Sequence, residues 1–138
     1  MTLAKIGGGY QVGDGNLNEI KMGAIPAPQT ATSTATLTTD QILLGGEILL
    51  GSPGTSAATY TLPTVASLEA VLVNAKIGSS FDLSVVNVDG SSSGVITIAA
   101  GTGWTLVGLM TVVATAGTAQ RFRARKTGDG AWTLYRIG

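Results

Sequence analysis

The stretch Ser79–Leu106 constrains this chain most. Phe81, Leu83 and Val85 alternate with Asp82 and Ser84, the two-residue period of a strand with one covered face. Val86 and Val88 extend the apolar run, which predicts cover on both faces or a bulge after Val85. Asp89-Gly90 followed by Ser91–Gly94 is turn chemistry. Val95–Ile98 is a β-branched run that reads as the returning arm of a hairpin, and Gly101-Thr102-Gly103 leads into a third strand at Trp104. A hairpin cannot bury its apolar face alone, so the remaining segments must cover it.

Further strands are predicted on both sides. Thr30–Thr39 places threonines at every second position opposite small and mildly apolar residues and reads as one strand, with a low-complexity linker as the alternative. Ile42–Leu44 and Ile48–Leu50 flank Gly45-Gly46, as a tight hairpin or a kinked strand would. Ala58–Leu62 is a short strand stopped by Pro63. One helix is expected from Val65 to Asn74, capped by Thr64, with Val65, Leu68 and Leu72 on its apolar stripe. Met110–Ala116 and Ala131–Ile137 are strands, and Thr127–Gly130 is a hairpin turn. The predicted fold is all-β and mainly antiparallel: a jelly-roll-like sandwich or barrel of about eight strands, with one short helix.

Residues 1–29 read differently. Gly7–Gly9 and Gly13–Gly15 are turn-forming, the apolar residues come singly, and Pro26 and Pro28 favour extended backbone. An extended N-terminal arm (1–29) ahead of a β-domain (30–138) is predicted. Such an arm frays unless something holds it. A neighbouring subunit or a larger surface would supply the hold, leaving the arm disordered in the free protein.

Composition excludes more than it proves. Only 12% of residues are charged, and the chain has neither histidine nor cysteine. The commonest catalytic base, the commonest metal ligand and thiolate chemistry are therefore missing. Asp82 and Asp89 are expected on an outer face and in a turn, so they make no acid–base pair. The glycine-rich stretches match no phosphate-binding spacing. Met1–Ile6 does not open a leader peptide, and no apolar run is long enough to cross a membrane as a helix. The reading is a non-enzymatic chain with no cofactor and no metal.

Charge is unevenly placed. Residues 1–120 carry Lys5, Lys21 and Lys76 against seven acids, whereas residues 121–138 carry Arg121, Arg123, Arg125, Lys126 and Arg136 against Asp129 alone. Arg121, Arg123 and Arg125 alternate with Phe122 and Ala124, so they share one face of a strand. Three uses stay open: ion pairs with adjacent subunits or an acidic protein surface, a charged edge that resists aggregation, and nucleic acid. Nucleic acid is the weakest, because the nearby aromatics, Phe122 and Trp132, face inward.

Several segments together resemble small structural proteins of tailed bacteriophages, in particular the capsid decoration (cement) proteins. They are Tyr10–Asn16, Gly51–Gly54 with Tyr60–Thr64, Ser80–Asn87, Ala100–Gly108, and Arg121–Arg125 with Trp132–Arg136. The resemblance covers most of residues 10–138, and its motifs are turn-and-strand patterns. It implies a protein on the outer surface of a virion capsid, commonly a homotrimer, that clamps neighbouring major capsid subunits. Its partners would be the major capsid protein and itself, with no nucleic acid and no membrane. The expected interface residues are Tyr10, Val12, Asp14, Asn16, Leu17, Ile20 and Met22 of the arm, with Arg121, Arg123 and Arg125. The alternative is a receptor- or glycan-binding module of a head fibre or tail, for which exposed aromatic platforms would be needed.

Overall fold

The computed structural model describes residues 23–138. Gly23–Pro28 are exposed and irregular. Among the described residues there are ten strands and two helices: β1 (Gln29–Ala31), β2 (Ala35–Thr36), α1 (Thr39–Leu43), β3 (Ile48–Gly51), β4 (Ala58–Thr61), α2 (Val65–Val71), β5 (Ser80–Asn87), β6 (Ile96–Ala99), β7 (Trp104–Val107), β8 (Thr111–Val112), β9 (Thr118–Gly128) and β10 (Ala131–Arg136). They form a six-stranded sheet, ordered β1-β3-β5-β9-β10-β7, and a four-stranded sheet, ordered β2-β4-β6-β8.

The chain alternates between the sheets from β1 to β8, odd strands in the larger and even strands in the smaller. Each return to a sheet runs the same way at first, so β1-β3-β5 and β2-β4-β6 pair in parallel. Five of the eight pairings are parallel; only β5–β9, β9–β10 and β6–β8 are antiparallel. The body is mostly β, as expected, but the mainly antiparallel pairing is corrected. Period-2 patterning reports which face is buried and carries no information about the direction of the neighbouring strand.

Three local corrections follow from this winding. The central pair β5 and β6 is no hairpin: both edges of β5 are occupied, by β3 and β9, and β6 lies in the other sheet. The Thr/Ala run is not one strand either; it bends at Ser33-Thr34 and crosses from β1 to β2. Tyr60 of β4 holds that crossing, its hydroxyl donating to the carbonyls of Ala31 at 3.1 Å and Thr32 at 2.9 Å. Finally, Ile42 and Leu43 belong to α1, a second helix capped at its end by Leu44, and not to a strand. Its start carries a capping box: Thr38 Oγ1 accepts from the Gln41 amide at 3.2 Å, and Gln41 Oε1 accepts from the Thr38 amide at 2.8 Å. Gly46 and Glu47, both left-handed, then turn the chain into β3.

The predicted α2 is present, with Thr64 capping Ser67 and the helix ending at Val71, three residues early. The predicted Met110–Ala116 strand is reduced to Thr111–Val112. The β9–β10 hairpin forms as expected around Asp129-Gly130, with a bulge at Ala131/Trp132.

One core joins both sheets and both helices. Leu49, Leu83, Val85, Phe122 and Leu134 come from the larger sheet, and Tyr60, Ile96, Ile98 and Val112 from the smaller. Ile42 of α1 and Val65 and Leu68 of α2 complete it. The sheets approach closely at Gly51, where an added Cβ would lie 2.4 Å from Ile96 Cδ1.

Candidate interaction surfaces

The three arginines stand where the sequence puts them, on the exposed face of β9. That strand is central, however, held between β5 and β10, so the edge-strand reading is removed. Cross-strand register places Asp82 opposite Arg123, with Arg121 on the next outward position. Asp82 accepts from Arg123 Nε at 2.7 Å and Nη2 at 3.1 Å, and from Arg121 Nη2 at 3.0 Å. Glu47 accepts from Arg121 at 3.3 Å. The hydrogen bonds from Arg123 hold the Asp82 carboxyl down at about 2, well below the ordinary carboxylate range. Two of the three arginines are thus neutralised within the chain. Arg125, opposite Ser80, pairs with no carboxylate among the described residues.

Lys126 does not join this patch. It falls on the inward side of β9 and is buried, 2.7 Å from Glu69 of α2. Trp132 Nε1 also donates to Glu69, at 3.1 Å. The lysine hydrogen bond, then the indole, lowers the Glu69 pKa. One carboxylate therefore ties α2 to both arms of the closing hairpin.

Beside this contact lies an apolar groove of about 380 Å³, walled by Leu43, Val71, Leu72, Val73, Phe81 and Trp132. Trp132 is its aromatic floor, packed against Phe81 at 5.8 Å and Trp104 at 6.1 Å between ring centres. Around it Leu44, Val71, Val73 and Ile77 are exposed.

A second cleft, about 220 Å³, lies near the other end of β5, between Leu109, Val113, Gln120 and Arg136. Val107, Leu109, Val113 and Ile137 are exposed around it. Gln120 Oε1 is buried there with no hydrogen-bond donor among the described residues. The end of β5 is pinned nearby by Asn87, which is fully buried. Its Nδ2 donates to the carbonyls of Gly94 at 2.9 Å and Val113 at 3.0 Å, and its Oδ1 accepts from Gly90 at 2.6 Å.

Neither apolar surface was legible as a site, because isolated valines and leucines in loops carry no period. Tyr10, Val12, Asp14, Asn16, Leu17, Ile20 and Met22 lie outside the described residues. Among the described residues no cluster of three or more acids has metal-holding geometry, and no helix is long and apolar enough to cross a membrane. No family model, no curated protein and no solved structure matches this chain.

Proposed function

We propose that this protein is a capsid decoration protein of a tailed bacteriophage, binding the outer surface of the head as a trimer and clamping neighbouring major capsid subunits. The observation that carries the reading is the exposed apolar surface on a chain with so little charge. Eleven large hydrophobic side chains among the described residues are exposed; Val71 and Val73 line the groove beside α2, and Leu109 and Val113 line the second cleft. Gathered apolar surface of this kind marks contact with another protein.

The resemblance to cement proteins supplies the kind of partner, and a non-enzymatic, cofactor-free role accords with a chain that lacks histidine and cysteine. The glycan-binding alternative draws no support from three of the aromatics, while Phe81 and Tyr135 are half-buried. Tyr60, Trp104 and Trp132 are buried, and their polar atoms are used inside the fold.

The test is co-sedimentation with heads assembled from the major capsid protein of the same virion. Saturable pelleting with a fixed ratio to capsid subunits, and heads that survive more heat once coated, are expected. Protein that stays in the supernatant at micromolar concentration would refute the proposal.

A further inference from the structure

The groove beside α2 is built to seat an apolar side chain. Its floor depends on a small residue. Ala124 of β9 lies in register with Phe81 on one side and Leu134 on the other. Only a methyl group therefore stands between Phe81 and Trp132, and the two rings meet across β9 at 5.8 Å. Leu43 of α1 and Leu72, Val73 and Ala75 at the end of α2 form the walls. At about 380 Å³ the groove would hold a small molecule. Such a ligand would still leave Leu44 and Ile77, around it, in water. An anchor pocket ringed by exposed apolar side chains is instead the form of a protein–protein hot spot, in which the ring excludes water from the anchor.

One end of the groove is basic. Ser79 and Ser80 line that end. Arg125 lies opposite Ser80 in register, and its guanidinium reaches within 3.8 Å of the Cβ position of Gly78. Lys76 is exposed in the same turn, which the Ser79 amide closes by donating to the Lys76 carbonyl at 2.8 Å. Neither cation pairs with a carboxylate among the described residues. Glu69, beside the groove, is already taken by Lys126 and Trp132.

The occupant that complements this site is apolar and acidic. The described surface of a second copy has little of that kind to offer. Glu47 and Asp82 are held by arginines, Glu69 by Lys126, and Asp89 by Ser52 and Gly54. Of the other described carboxylates, Asp129 stands between two glycines, with no anchor beside it, and Asp40 lies on α1, itself a wall of the groove. Given the capsid role proposed above, on which this inference rests, we propose that the groove seats a segment of the major capsid subunit. A large apolar side chain of that segment enters over Phe81, and a carboxylate close to it in the chain pairs with Arg125 and Lys76.

Co-sedimentation of variants with heads assembled from the major capsid protein of the same virion tests it. Val73→Asp, at a position 73% exposed and so harmless to the core, should bind about thirty-fold more weakly than the unaltered protein. Arg125→Ala should bind about five-fold more weakly at low salt, and the difference should fade in ~1 M salt, because a charge at the rim acts through a screened field. Both variants should keep the native mass of the unaltered protein by light scattering. Unaltered protein that stays in the supernatant would refute capsid binding altogether, and this occupant with it. If the unaltered protein pellets, undiminished binding by either variant would overturn the groove assignment alone. A lower native mass for Val73→Asp would give the groove to a second copy and would overturn it too.

Discussion

At the scale of single residues, three side chains do work that no sequence period announces. Asn87 is the clearest. It looks like one more polar residue at a strand end, yet it is buried and uses three hydrogen bonds to hold two loops against β5. Asn87→Ala strands two carbonyls and one amide, and should cost about 2–3 kcal/mol by urea denaturation. Tyr60→Phe keeps the ring but removes the donor for Ala31 and Thr32, and a loss of about 1–2 kcal/mol is expected from the same measurement. Asp82 makes a pH-dependent contribution. Its folded pKa, about 2, lies below the ordinary value near 3.9. The stabilisation is therefore complete above pH ~4 and is lost as pH falls toward 2. Arg121 and Arg123 are half exposed, so solvent screening holds the effect to about 1 kcal/mol. Thermal melts of the wild type and Asp82→Asn should differ at pH 6, and the difference should shrink as pH falls to 2 and vanish only below it.

Among the elements, legibility followed locality. The Thr64 cap and the apolar stripe of α2 were readable because they depend on neighbours three and four residues away. So was the β9–β10 hairpin, whose turn is Asp129-Gly130. The capping box of α1 was equally local, a threonine three residues before Gln41, but the Thr-rich run around it matched a strand period more strongly. What could not be read was which sheet each strand enters. Ser33-Thr34 read as the middle of a strand and the Val88–Val95 turn as the loop of a hairpin, yet both carry the chain from one sheet to the other. The arginine row was legible as a face, while its neutralisation by Asp82 and Glu47 depends on cross-strand register. Lys126 shows the limit of alternation: it shares the inward side with Phe122 and Ala124, and Glu69 makes that position tolerable. Glu69→Ala leaves that ammonium buried without its partner. It should lower the melting temperature more than Glu47→Ala, whose ion pair is exposed on both sides.

For the whole molecule, the second cleft is the surface assigned to assembly. The cleft around Leu109, Val113, Ile137 and Gln120 is left for another subunit, and it is where copies of the chain should meet. Leu109 and Val113 are exposed and contribute little to the core, so Leu109→Asp/Val113→Asp should fold normally by circular dichroism and fail to associate. The native mass of the purified protein, measured by light scattering at micromolar concentration, tests this assembly claim most directly. About three times the 13.9 kDa chain mass is expected, falling to one chain in the double variant. A stable monomer with its second cleft open to water would contradict it.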